Sequence, residues 1–384
     1  MSQDIRPDWD PRSRDVLDDQ LAAYDRMRER CPVAYSDLMQ WSVFRHEDIA
    51  RVIADPESFS NAVSQHLSVP NGMDPPEHTA YRRLIDPYFT PERMDAFEPI
   101  CRGIVADLIR SALALGEVEW MAAVAVPFAV RSQCAFLGWP PDVQGRLADW
   151  TRRNHEATLA QDRQAMSDIA REFEGLIDEL LEARLQAGAG PEADVTSALM
   201  HDRVWGRPLS NEEIASILRI WTVGEIGSIA AAVGILVQFL AERPELQEQL
   251  RNARSLLPAA IDEILRIHGP LVASRRVTTC PVEVGGRRLE AGERLSLNWV
   301  SCNRDGRVFD APETFRLDRD PARNLLYGTG IHVCPGAPLA RMEMRVCLEE
   351  LLGRAASVRP APGKPPVRAV YPGSGYTVMH LEIQ

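Results

Sequence analysis

The run YGTGIHVCPGAPLARMEMR, beginning at Tyr327, constrains the fold more than any other stretch of these 384 residues. Gly328, Gly330 and Gly336 free the backbone to take conformations that a Cβ forbids, and they let it approach a flat ligand closely. One cysteine, Cys334, sits inside that tight loop, and Pro338 marks the first turn of a helix just after it. Amides at a helix start, and those of the loop itself, favour a thiolate over a thiol. A thiolate held this way is a metal ligand, and one axial thiolate is what a haem-thiolate centre needs. The competing reading is an ordinary Gly-rich turn around a buried structural cysteine.

The run resembles the haem-binding loop of the cytochrome P450 family, F-G-x-G-x-H-x-C-x-G-x-x-L-A-R. It matches at Gly328, Gly330, His332, Cys334, Gly336, Leu339, Ala340 and Arg341. It departs at Tyr327, which keeps an aromatic ring where the family has Phe. The resemblance implies haem b with Cys334 as the axial ligand of the iron. It also implies a mainly α fold with small β-sheets, the haem lying between a long central helix and the cysteine loop.

Composition narrows the alternatives. A formal net charge of −12 argues against a nucleic-acid partner. The N-terminal run MSQDIRPDWDPRSRD is polar and charged, so neither a signal peptide nor a membrane anchor is expected. Membrane-bound members of the family begin with such an anchor, so the resemblance is to a soluble, bacterial-type member. Seven cysteines, widely spaced and without a C-x-x-C pair, fit a reduced cytoplasmic compartment and argue against an iron–sulfur centre. No flavin or nicotinamide fingerprint follows a predicted strand, so electrons are expected from separate proteins.

Helical periodicity predicts helices at roughly 15–30, 91–115, 142–185, 211–242, 245–267 and 338–353. Strand signals cluster near Val33–Phe44 and in Leu271–Leu297, where VEVGGRRLEAGERLSL reads as a hairpin with a Gly-Gly turn. The expectation is one domain over residues 1–384, a helix-rich body with a small β-rich lobe at about 33–60 and 271–300, and no fused reductase. The stretch 212–243 is apolar on nearly every face, which predicts a buried helix. It still carries Gly224, Gly227 and Gly234, each costing roughly 1 kcal/mol against alanine. Either tight helix packing or room for a planar cofactor and substrate accounts for them.

Three further constellations matter. Glu263 and Arg266 are spaced i,i+3 and share a helix face. Their place ahead of the β block matches the family's E-x-x-R, and the resemblance adds Arg319 as a third member of a brace for the haem loop. The segment from Met73 resembles the family's H-x-x-x-R, with His78 and Arg82 one turn apart. With Arg276 and His332, these are the expected partners of the haem propionates, Gly336 completing the cofactor-binding set. In the long helix the family usually carries A-G-x-[DE]-T. The aligned residues here are Gly224, Glu225, Ile226, Gly227 and Ser228. Ser228 replaces the threonine, Gly227 the acid, and Glu225 is the only nearby carboxylate. A relocated acid–alcohol pair, Glu225 with Ser228, is the functional reading; a hydrogen bond to neighbouring backbone is the plain one.

The resemblance implies a soluble haem-thiolate monooxygenase that inserts one atom of dioxygen into a small, mostly apolar, possibly aromatic substrate. A peroxide-driven enzyme is the first alternative and a non-enzymatic haem sensor or carrier the second. Val69, Val223, Leu271 and Val272 are expected pocket residues, with walls from the loop at about 60–72, the 150–165 region and the turn near Pro372–Tyr376. The expected electron donor is a ferredoxin-type or other small acidic redox protein. It would dock on Arg341 and Arg345, with Arg83 and Arg102 joining them. A monomer with no membrane partner completes the expectation.

Overall fold

The computed structural model describes residues 6–64, 66–371 and 373–384. The chain is mostly helical, and its core is organised around one helix, Asn211–Ala241. At 1.5 Å per residue its 31 residues span about 46 Å, enough to cross the molecule. It starts with a capping box in which Ser210 Oγ accepts from the Glu213 amide and the Glu213 carboxylate accepts from the Ser210 amide. Arg207 and the Tyr81 hydroxyl also donate to that carboxylate. The helix is long and apolar enough to cross a membrane by composition, yet 78% of its most apolar window is buried against the rest of the chain. It is a core helix because neighbours cover it on almost every face.

The helices Pro91–Leu115, Val126–Leu137, Leu257–His268 and Ala337–Arg354 pack around this axis. Two predicted stretches are each divided. The stretch 142–185 breaks into Val143–Ala160 and Arg163–Ala187 at Gln161, which takes a left-handed φ of 55°. The stretch 245–267 breaks into Pro244–Asn252 and Leu257–His268. Periodicity runs through breaks of two to four residues of this kind without recording them.

The β lobe is a five-stranded mixed sheet in the order Val33–Ser36, Gln40–Val43, Arg294–Asn298, Ala273–Thr278 and Phe59–Ser60. Only the Gln40–Val43 and Arg294–Asn298 pairing is parallel. Its second apolar cluster, with Val33, Trp41, Leu295 and Leu297, is separate from the helical core. The predicted hairpin is present as Val282–Val284 against Arg287–Leu289. Gly285 and Gly286 turn it at φ 54° and 78°, values that only glycine adopts freely in a two-residue turn.

Candidate functional site

Between the central helix and the cysteine loop lies a cavity of about 630 Å³. Its floor is the loop. Gly328 and Gly330 hold φ near 70°, and a short 3₁₀ turn, Gly330–His332, follows. The Cys334 amide donates to the Tyr327 carbonyl at 2.9 Å, closing the loop. The helix then starts at Ala337, with Gly336 as its cap. Cys334 opens onto the cavity while protein encloses it elsewhere. Burial pushes its thiol up, and the amides of Gly336 and Ala337 only partly counter this. A Cβ at Gly336 would meet the Cys334 sulfur and Phe89 at 3.9 Å, ordinary contact, so protein packing does not demand that glycine.

One edge of the cavity gathers buried polar groups that have no protein partner among the described residues. His78 is buried with both ring nitrogens unpartnered, and His332 Nε2 is likewise enclosed and unpartnered. The two rings lie 4.0 Å apart. Burial first, then His78 and the nearby Arg276 and Arg82, pushes the His332 imidazole down to about 3. Arg276 is buried, donates among the described residues only to the Arg275 carbonyl, and is pushed down to about 10 by burial. Buried polar groups in this state need a partner. Carboxylates supply it, so the residues present fit a flat cofactor carrying two acid groups. Arg82 lines the same edge and also splints the loop, donating to the carbonyls of Ile331 at 3.2 Å and Val333 at 2.7 Å.

Glu263, Arg266 and Arg319 form a bonded unit below the loop. Arg266 grips Glu263 through two bonds, 2.7 and 2.9 Å, and Arg319 adds a third at 2.9 Å. Arg266 also donates to the carbonyls of Asn303 and Pro312, and Arg319 to those of Asp310, Ala311 and Thr314. Asn303 in turn accepts from the Leu325 amide at 2.8 Å, two residues before Tyr327. The unit ties the helix Leu257–His268 to the meander that delivers the loop.

Across the cavity, Val223, Gly224, Glu225 and Ser228 face inward from the central helix. A Cβ added at Gly224 or Gly227 meets nothing within 4 Å, so these glycines notch the helix. Gly234 is different: a Cβ there would lie 2.7 Å from the Met121 sulfur, so it serves packing. Ser228 makes no side-chain hydrogen bond among the described residues. Glu225 is buried and faces a second carboxyl, Glu343, from the helix Ala337–Arg354. Burial pushes both up, Glu343 furthest. Sequence reading missed Glu343. Its signal was an acid between Met342 and Met344 in the apolar stretch after the loop.

Several expectations need correction. Val69 is fully buried in the helical core, its amide bonded to Ser216 Oγ; its neighbours Ser68, Asn71 and Gly72 face the cavity instead. Val272 points into a smaller second cavity, because side chains alternate along an extended segment and Leu271 and Ala273 take the cavity side. The 150–165 region contributes nothing to the wall. Pro372 lies outside the described residues, and Ser374, Gly375 and Tyr376 line the second cavity. The basic docking patch is largely neutralised. Arg345 pairs with Glu98 and Glu349, Arg102 with Glu98, Glu349 and Glu350, and Arg341 with Asp262. Of the four, only Arg83 is exposed without an ion pair among the described residues.

A cysteine loop facing a notched helix, with unpaired histidines and a buried arginine at the edge, is the architecture of a haem-thiolate protein. The cytochrome P450 family profile matches residues 146–368. Cyclomarin C epoxidase of Salinispora arenicola is 31% identical over 350 residues, covering 86% of this chain and 88% of that protein. Erythromycin C-12 hydroxylase of Saccharopolyspora erythraea is 32% identical over 342 residues, covering 85% of each. Among solved structures, CYP109E1 of Bacillus megaterium with corticosterone superposes with a TM-score of 0.84 at 27% identity, covering 95% and 98% of the two chains. A mutant of P450 EryK with erythromycin B gives 0.87 at 27%, covering 96% and 97%. The chain belongs to the cytochrome P450 family. It is a haem b monooxygenase of small organic substrates.

Proposed function

We propose that Cys334 is the axial ligand of the haem iron and that His78, Arg82, Arg276 and His332 hold its carboxylates. The observation that carries this is the pair of buried histidines, His78 and His332, with unpartnered ring nitrogens beside Arg276 and Arg82 at the edge of the cavity whose floor is Cys334. When bound, the haem supplies the redox chemistry that divides dioxygen between substrate and water, using two electrons and two protons. The chain binds, encloses and delivers protons. The wall that receives the substrate is apolar at Val223, Ile229, Ala232, Leu265 and Leu271 and polar at Ser64, Ser68 and Asn71. That lining suits a small, mostly apolar substrate carrying one or two polar groups. Glu225 and Ser228 supply the protons in place of the family's usual acid and threonine, with Gly224 leaving room above the cofactor.

The 384 residues work as one monomeric domain that takes electrons from a separate ferredoxin-type protein. All seven cysteines are free, which supports a reducing cytoplasmic setting. Peroxide-driven turnover is the second reading, favoured by Gly227 standing where an acid is usual. Turnover on peroxide compared with turnover on a reductase system separates the two. For Cys334 the test is spectroscopic. Reduced protein with carbon monoxide should show the red-shifted band of thiolate-ligated haem, and Cys334→Ser should lose it. A variant that kept the band would refute the assignment.

A further inference from the structure

The central helix and the helix after the cysteine loop each bury one acid, and the two acids meet. Glu225 is 9% exposed and lines the cavity; Glu343 is wholly enclosed. Glu225 Oε1 and both Glu343 oxygens receive no hydrogen bond from any other described residue. The titratable groups that face the pair are Cys101 on the helix Pro91–Leu115, Cys347 one turn beyond Glu343, and Cys334 and Tyr327 from the loop. Among the described residues, no arginine or lysine compensates either carboxyl. Two ionised carboxylates side by side without a cation repel strongly in so enclosed a place. A proton on one satisfies both, because the acid O–H donates to the facing carboxylate and steadies its charge.

We propose that Glu225 and Glu343 act as one carboxyl pair that carries a single shared proton, with Glu343 the positioning residue that holds Glu225 ready to pass a proton toward Ser228. This rests on the reading of Glu225 and Ser228 as the proton-delivering pair. In the step, an O–H bond of the pair breaks as one forms at the Ser228 oxygen, and the hydroxyl's own proton moves on into the cavity. A proton from bulk solvent, relayed by cavity water that takes up one proton as it gives one, returns to Glu225, the member of the pair that lines the cavity. No electrons move. Leaving the pair doubly ionised is costly, so the pair is refilled promptly and returns to one proton. The titration belongs to the pair and to neither residue alone.

Infrared spectroscopy of the haem-loaded enzyme at neutral pH tests the shared proton without turnover. Wild type should show the carbonyl stretch of one protonated buried carboxyl, shifted down in heavy water and absent from E225Q/E343Q. Its absence from wild type, or its survival in the double variant, would overturn the proposal. The positioning role is read from product formed per electron consumed. E343Q, E225Q and the double variant should each lower it by about tenfold or more, and by a similar factor, since general acid work is of that order or larger and the two act as a unit. If E225Q diverts electrons to peroxide while E343Q does not, the shared-proton unit fails and the Glu225–Ser228 reading stands. If neither does, the Glu225–Ser228 reading fails as well. Should E343Q not fold, the wild-type band and its loss or displacement in E225Q decide the matter.

Discussion

Glu263→Ala removes the shared acceptor of two buried guanidiniums. Three charge-assisted bonds of 2.7 to 2.9 Å disappear together. Arg266 and Arg319 keep their carbonyl partners but lose the one carboxylate that pairs with them among the described residues, in a site where the side chains are 1% and 10% exposed. Breaking a buried pair from one side costs about 3–5 kcal/mol, because the remaining charge stays buried. Here two charges remain, which places the expected loss at the upper end of that range. A folded domain has about 5–15 kcal/mol in hand, so the variant should be largely unfolded or haem-free near physiological temperature. Glu263→Gln keeps one carbonyl acceptor and should lose roughly half as much by the same reckoning. Urea unfolding followed by far-ultraviolet circular dichroism, with haem content measured alongside, reads both. Glu263→Ala that stays fully loaded, with an unchanged midpoint and slope, would refute the reasoning.

Stability should fall in acid before haem is added. His332 and His268 are held well below the ordinary histidine range, to about 3 and about 4. The unfolded chain therefore binds more protons below about pH 6.5, and apo-protein stability declines as pH drops from there toward those values. Haem carboxylates beside His332 raise its pKa, so thermal melts of loaded protein should show a shallower decline; identical slopes would count against that placement. Gly224→Ala should stabilise the central helix by up to about 1 kcal/mol, because its Cβ meets nothing, whereas Gly234→Ala must displace Met121. Melting temperatures of the two variants should move in opposite directions. Arg83→Glu should slow reduction by a ferredoxin-type donor, most visibly at low salt. Arg345→Glu should mainly lower the melting temperature, because it breaks pairs to Glu98 and Glu349. Stopped-flow reduction at two ionic strengths distinguishes these effects.

The cysteine loop, the Glu263–Arg266 spacing and the Gly285–Gly286 hairpin were legible because each is local. A few neighbouring residues fix a backbone conformation or a shared helix face, and the structure contains all three. What stayed hidden depends on which side chains meet across elements. Val69 and Val272 sit one residue from true cavity residues, and a one-residue step in extended chain reverses a side chain. The arginines of the last long helix looked free until Glu98, from the helix Pro91–Leu115, paired with Arg345, and Asp262, from the helix Leu257–His268, paired with Arg341. Glu343 is the sharpest case. Read along the chain, it is one of 55 acids. Only its meeting with Glu225, 118 positions earlier by subtraction of the two residue numbers, shows that neither acid can be an ordinary surface charge. The departure at Gly227 and the acid at Glu225 then have one physical explanation. Moving the acid to position 225 points it at Glu343 and away from solvent. A proton can stay there at neutral pH because the partner acid makes losing it expensive.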